Sequence, residues 1–451
     1  MDKKNKNVPL IRFKGFEEEW EEIRLGDFGD FKSNGVDKTV KEKELPINLL
    51  NYMDVYNQRH ISVENCNELM QVTATDRQIK ENNVVDGDVF FTPSSETPED
   101  IGHVSVIEET LPNTCYSYHL MRYRPKENVF YKIFPKYSFA SDYMRKQLVF
   151  EAQGVQRFVL SKDSFENLVA KKPSISEQQK IGSFFKELDD LIGAKEEELQ
   201  KLRQLKSALL DAMFPNGDSE NTTGVNRGGG QMLNNIITNY PQLAVRSHSA
   251  NTPRLRFRGF TAPWEKKKLS TECNFSKGRG YSKSDIQSSG IPLLLYGTMY
   301  TDYKTAINKT DLYSSFKEGA LLSNGYEVVV PASGETTEDI ARASAIERGG
   351  IIIGGDLNVI YPNKSISPYF LALELTHGAS HKHLTKKAQG ISVVHLHNSD
   401  IQDLRITIPS LPEQQLIGNF FRSQDENISA TEQQISKLKT MKQACLQQMF
   451  V

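Results

Sequence analysis

The chain has 451 residues, of which 38% are hydrophobic and 25% charged, and its formal net charge is −2. That balance fits a globular chain of about two to four domains with some exposed helix. It excludes an integral-membrane protein, because no apolar run approaches the ~20 residues that span a bilayer. It also leaves no global positive footprint for nucleic acid, so any DNA contact must rest on local charge.

Residues 1–7 are polar with no apolar core behind them, which speaks against a secretory signal. The four cysteines, Cys66, Cys115, Cys273 and Cys445, are scattered and form no CxxC pair. The expectations that follow are reduced thiols, a cytoplasmic location and no structural zinc.

A lead-in motif comes next: Pro9, Arg12, Phe13, Gly15 and Phe16, then Trp20. It returns as Pro253, Arg256, Phe257, Gly259 and Phe260, then Trp264, an offset of 244 that uses both tryptophans of the chain. It reads as a strand-like lead-in whose aromatics pack on the domain behind it, with partner contact open to the arginines. From about 24 to 173, short apolar runs bounded by Asp-Gly, such as Val84 with Val85 and Val89 to Phe91, look like strands. Residues 138–153 read as a helix carrying Tyr143, Arg145 and Lys146. Charge is segregated here. Residues 81–110 hold eight acidic side chains and no Lys or Arg, whereas 111–172 hold eleven Lys or Arg against five acids. That local excess either neutralises phosphates or forms a solvated basic face.

A second repeated signal is Pro93, Ser94, Ser95, Glu96, Thr97, matched by Pro331, Ser333, Gly334, Glu335, Thr336. Each copy follows an apolar run, so each is expected to be a loop leaving a strand. Its hydroxyls can cap the next turn or touch a ligand. Paired-carboxylate catalysis is a weak reading, since no His or Lys base recurs at fixed spacing in both copies. A tight turn follows at Gln153 and Gly154, matched by Gln389 and Gly390. Arg157 beyond the first turn is replaced by Val393 beyond the second.

The longest repeated pattern runs from Ser174 to Phe214 and from Ser410 to Phe450. An offset of 236 carries Glu177, Gln178 and Gln179 onto Glu413, Gln414 and Gln415, and Phe184 and Phe185 onto Phe420 and Phe421. Both stretches open with Ser-x-x-Glu, a capping-box pattern. Leu188, Ile192, Lys195, Leu199, Leu202, Lys206, Leu209 and Met213 alternate four- and three-residue steps, a heptad seam interrupted by two lysines. Two such helices of roughly 37 residues, about 55 Å long, are expected to bury each other as an antiparallel pair.

Residues 215–252 are rich in Gly, Asn, Ser and Thr and read as a flexible linker. The second globular part, 253–409, repeats the frame of 1–173, although 270–330 shows little counterpart to 26–90. His377, His381, His383, His395 and His397 cluster with Lys382, Lys386 and Lys387. His377 and His381 have helical spacing for a metal, but the first copy lacks them, and a basic hydrogen-bonding surface is the better reading. No P-loop, dinucleotide turn or Asn/Asp-Pro-Pro-aromatic run is present.

Two variable globular parts, each followed by a matched helix opening on Pro-Ser-x-x-Glu-Gln-Gln or Pro-Ser-Leu-Pro-Glu-Gln-Gln, resemble the specificity subunit of type I restriction–modification enzymes. The resemblance covers nearly the whole chain, and the glycine-rich insert is its main departure. It implies an α+β fold: two mixed α/β target recognition domains (1–173 and 253–409) joined by two long antiparallel helices (174–214 and 410–451) in a pseudo-twofold repeat. It implies a non-catalytic chain that reads a bipartite site in double-stranded DNA. Two methyltransferase subunits using S-adenosylmethionine would dock on it, and motor-nuclease subunits using ATP and Mg would join. No metal or cofactor would be bound by the chain itself. Expected DNA contacts are Ser94, Ser95, Glu96, Thr97, Arg145, Lys146 and Arg157 in the first part. In the second they are Ser333, Glu335, Thr336, His381, His383, Lys386 and Lys387. Glu177, Gln178, Gln179, Phe184, Phe185, Glu413, Gln414, Gln415, Phe420 and Phe421 are expected to serve the spacer and partner docking. Two other classes fit the same layout: a stand-alone DNA-binding regulator and a protein-binding scaffold.

Overall fold

The computed structural model describes residues 7–215, 236–246, 251–388 and 393–451. The expected turn at Gln389 and Gly390 and most of the 215–252 segment lie outside the described residues. The chain divides into two units, residues 1–197 with 432–451, and residues 198–431.

The first unit is built on an antiparallel sheet in the order Gly29–Lys32, Met121–Pro125, Val89–Phe91, Val104–Val106. Its central strand is apolar on both sides because each side meets a core. Val89 and Phe91 pack with Phe139 and Leu148, and Phe90 packs with Leu50 and Tyr116. This is the alternation a pleated strand imposes. A second sheet orders Met70–Ala74, Leu45–Leu50, Thr114–Tyr116, its last pair parallel. Val84 is a buried loop residue, so Val84 with Val85 is not a strand. The helix expected over 138–153 is shorter, Asp142–Glu151, and is preceded by a separate turn, Phe134–Ser138.

The second unit repeats this plan. Its main sheet is ordered Cys273–Lys277, Leu357–Pro362, Glu327–Pro331, Ser344–Ile346, Ala306–Ile307, and its other sheet pairs Ile291–Leu294 in parallel with Gly349–Ile353. Val328 and Val330 face one core and Val329 the other. The 270–330 region therefore has counterparts in 26–90 at the level of topology, where sequence showed almost none. Within the linker stretch, Leu243–Val245 pairs antiparallel with Leu255–Phe257, and Ile236 and Leu243 are buried in this unit's core. That part of 215–252 is built into the fold.

The two long helices, Ile175–Met213 and Leu411–Met449, are 39 residues each. In the first unit the Phe185 ring lies 5.9 Å from Phe450, Asp189 pairs with Lys442 at 2.5 Å, and Glu196 pairs with Lys439 at 2.6 Å. In the second unit Lys206 pairs with Asp425, and Phe214 lies 6.3 Å from Phe421. Rising numbers on one helix meet falling numbers on the other, so the segments run antiparallel within each unit. Lys206, an interruption of the seam by its residue type, has its repeat at Lys442. Each answers an aspartate, Asp425 or Asp189, that is itself repeated.

Arg12 forks onto Glu177 at 2.7 and 2.8 Å, and Arg256 onto Glu413 at 2.6 and 2.7 Å. The capping boxes are thus realised differently from expectation. Ser174 Oγ accepts the Glu177 amide at 3.4 Å, but the glutamate carboxylate turns to the arginine, because a bidentate charge-assisted pair outcompetes a bond to one amide. Gln178 accepts from Tyr131 N at 2.8 Å and donates to Pro173 O at 2.9 Å. Gln414 does the same with Ser367 N at 2.9 Å and Pro409 O at 2.9 Å. These four residues, Glu177, Gln178, Glu413 and Gln414, are buried clasps within their units, whereas Gln179 and Gln415 are exposed. Phe185 and Phe421 are buried as well. Phe184 and Phe420 are half-buried against the lead-in rings Phe13 (6.0 Å) and Phe257 (5.9 Å). In each unit the lead-in tryptophan meets the end of the long helix that begins in the other: Trp20 with Phe450 (6.0 Å), Trp264 with Phe214 (6.1 Å).

Candidate nucleic-acid interface

In the first unit the repeated serine loop is an edge strand, Ser94–Ser95, paired antiparallel with Phe158–Val159. The turn between Gln153 and Val159 brings the chain back onto that edge. Gly154 sits at φ +150°, and a Cβ there would lie 2.0 Å from Arg157 O, so only glycine fits. The return places Arg157 Nη2 3.0 Å from Ser94 Oγ, which accepts its hydrogen. The short helix Tyr52–Tyr56, closed by an Asn51–Asp54 capping box, holds the same loop from the other side. Tyr52 donates its hydroxyl to Ser94 O at 2.7 Å and stacks on Tyr56 with ring centres 5.9 Å apart. Tyr56 in turn donates to Asp100 at 3.0 Å, and His103 Nε2 lies 2.9 Å from the other oxygen of that carboxylate. The His103 contact, helped by Tyr56, holds the Asp100 carboxyl below the ordinary range. Nearby, His119 lies under Tyr118 with ring centres 4.0 Å apart. Burial pulls its pKa down first, and the charges of Lys38 and Arg157 add to that.

The second unit builds the same edge from different residues. Ser333–Gly334 pairs antiparallel with Val394–His395. Tyr300 donates to Ser333 O at 2.5 Å, with Tyr296 four residues before it at 6.2 Å between rings. Ser333 Oγ meets His395 Nδ1 at 3.2 Å. Arg157 is replaced by Val393 in sequence, but its bond to the edge serine is taken over by His395.

The remaining expected residues divide clearly. Glu96 and Thr97 are exposed, and Ser95 donates its hydroxyl to Thr97 O at 2.5 Å. Glu335 and Thr336 are exposed too, and Thr336 Oγ1 caps the helix Thr337–Ile340 by accepting from Asp339 N at 3.1 Å. Arg145 is turned inward and donates to Ile101 O and to Glu99 O, holding the 99–102 loop, while Lys146 on the same helix is exposed. His383, Lys386 and Lys387 are exposed on the helix Ala379–Lys387, and His381 is half-buried with Nδ1 3.4 Å from Ala341 O. Among the described residues no group of His, Cys, Asp or Glu could hold a metal ion, and burial pushes His377 down to about 4.

Part of the basic run is paired inside the unit, Arg124 and Lys132 with the acidic run and Lys171 and Lys172 with Glu22 and Glu21. Arg124 forks onto Asp88 at 2.6 and 2.7 Å, and Lys132 meets Asp86 at 3.3 Å. The local surplus of charge read along the chain is therefore not a surface patch of the same size. Exposed cations such as Arg157 and Lys146 can still meet a phosphate or a base edge. The tyrosine pairs escaped sequence reasoning, although Tyr52 and Tyr56 recur as Tyr296 and Tyr300 at the lead-in offset of 244. The arrangement can hydrogen-bond and stack.

The profile of the family described as "Type I restriction modification DNA specificity domain" matches residues 17–204 and again 262–440. A type I restriction–modification S subunit from M. genitalium is similar over 98% of this chain and 99% of its own, with a TM-score of 0.57 and 11% identity. A structure described as showing complex assembly and conformational transition of the type I R-M system is similar over 96% of this chain and 97% of its own, with a TM-score of 0.52 and 14% identity. At these identities the likeness is one of fold. A search of curated proteins returned no match to this sequence.

Proposed function

The chain belongs to the type I restriction–modification DNA specificity family, and we propose that each of its units reads one half of a bipartite DNA site. As a specificity chain it is non-catalytic. The observation that carries the bipartite reading is the duplicated edge: one scaffold, built twice, with different side chains at its tip. A reader of two identical half-sites would have no use for that difference. In this reading the first target recognition domain is residues 1–173 and the second is 253–409, with 174–214 and 410–451 as spacer.

The spacer role is supported by helices that each belong to both units, residues 175–197 and 198–213 of one, 411–431 and 432–449 of the other. A 39-residue helix is about 58 Å long, more than the ~34–36 Å of one DNA turn between half-sites. Methyltransferase subunits would bind the exposed helix faces, where Gln179 and Gln415 lie, and use S-adenosylmethionine to methylate adenine. Motor-nuclease subunits using ATP and Mg would complete a cytoplasmic restriction complex.

The test is co-expression with a cognate adenine methyltransferase subunit and mapping of modified adenines in host DNA. One asymmetric bipartite motif is expected. A stable complex that modifies no bipartite motif would rule the reading out.

A further inference from the structure

The two edges share a plan, although the tyrosine that closes it is the first of the repeated pair in one unit and the second in the other. In both, a tyrosine hydroxyl holds the carbonyl of the edge serine, Tyr52 on Ser94 and Tyr300 on Ser333. In both, that serine lies in a two-residue strand, paired with Phe158–Val159 in the first unit and with Val394–His395 in the second. What differs is the group on the serine hydroxyl, Arg157 in the first unit and His395 in the second. Both are exposed, and each is oriented by a hydroxyl that is itself fixed by the strand.

We propose that Arg157 and His395 are equivalent specificity-determining side chains, Arg157 reading a guanine in one half-site and His395 reading a single base-edge group in the other. This rests on the bipartite DNA reading above. The chemistry follows from donor geometry. The arginine fork carries five N–H donors, so with Nη2 on Ser94 the fork retains donors for guanine O6 and N7, the arginine–base pairing seen most often in the major groove. The His395 ring has only Nε2 left once Nδ1 meets Ser333. It makes one hydrogen bond and discriminates less. A phosphate clamp would need only charge, and would be served as well by lysine.

The experiment is motif mapping with the complete methyltransferase complex carrying Arg157→Ala, Arg157→Lys or His395→Ala, against a library of sites randomised one position at a time. Arg157→Ala is expected to relax discrimination about ten- to hundredfold at one guanine of one half-site and to leave the other half-site unchanged. Arg157→Lys, which keeps the charge but loses the planar fork, should relax the same position by less. His395→Ala should relax one position of the opposite half-site, by less. Ser94→Ala and Ser333→Ala, which leave the reading group in place but unoriented, should weaken preference at those same positions. Variants that fold are recognised by an unchanged melting temperature. Restoration of the wild-type motif by Arg157→Lys overturns the inference, as does a uniform loss over all positions or an unaltered motif in Arg157→Ala. A wild-type complex with no bipartite motif overturns the underlying reading as well.

Discussion

Removing Arg256 tests what the repeated Arg and Glu signatures are for. Its guanidinium is 3% exposed and Glu413 is fully buried, with bonds of 2.6 and 2.7 Å. Truncating one partner of such a pair strands the other charge and costs about 3–5 kcal/mol, whereas replacing both with apolar residues is close to neutral. For a unit of this size, about 2–4 °C of melting temperature accompanies each kcal/mol. Arg256→Ala is therefore expected to lower the midpoint by about 6–20 °C. Arg256→Met with Glu413→Met should recover most of that loss. Arg12→Ala should cost less, because Arg12 is 12% exposed and water can reach the carboxylate it leaves behind. Thermal unfolding of the purified chain followed by circular dichroism measures all three. A drop of less than about 2 °C in Arg256→Ala, or a double variant as unstable as the single, would refute the clasp.

Further outcomes are as specific. Phe450→Ala removes a ring that packs on Trp20, Phe134 and Phe185. In a Trp264→Phe background it should red-shift the fluorescence of Trp20 and cost about 3–5 kcal/mol, read by urea denaturation. Burial alone would raise the Asp189 carboxyl, but Lys442 and Lys136 hold it below its ordinary value. Its stabilising share is present at neutral pH and lost as pH falls through the folded-state value, so Lys442→Met should unfold at a higher pH on the acid limb than wild type. Burial pushes Glu374 up to about 8. As a raised acid it destabilises increasingly as pH rises from the ordinary carboxylate range toward 8. Glu374→Gln should therefore gain melting temperature over wild type at pH 9 and little at pH 5. Burial likewise pushes the Cys115 thiol to about 11, so a thiol reagent should label half-buried Cys445 before Cys115 in the native chain.

The duplication and both long helices were legible because particular residues recur in register, which periodicity alone does not produce. Their antiparallel sense was expected from the layout of two globular parts each followed by its own helix, and Lys206 and Lys442 with their aspartates bear it out within each unit. The clasps were not legible. Arg12 and Glu177 lie 165 positions apart, and a local pattern such as Ser-x-x-Glu offers the nearer amide as the partner. The common topology of 26–90 and 270–330 was hidden because a strand buried on both faces needs only apolar residues of suitable size, so sequence drifts while order persists. At the candidate edge, the serines were found from repetition and Arg157 from its place just beyond the repeated Gln-Gly pair. His395 was missed as their counterpart because it occupies the position of Val159, two residues from where alignment would seek an arginine.

The central claim is that the helix pair sets the distance between two half-sites, and changing its length tests this most directly. Four residues added within 195–205, with four at the facing place in the second helix, lengthen the pair by about 6 Å, or nearly two base pairs at ~3.4 Å each. Motif mapping of the modified DNA should find both half-site sequences intact and the spacer between them longer by about two base pairs. A change in the recognised bases with the spacer unaltered would contradict the account.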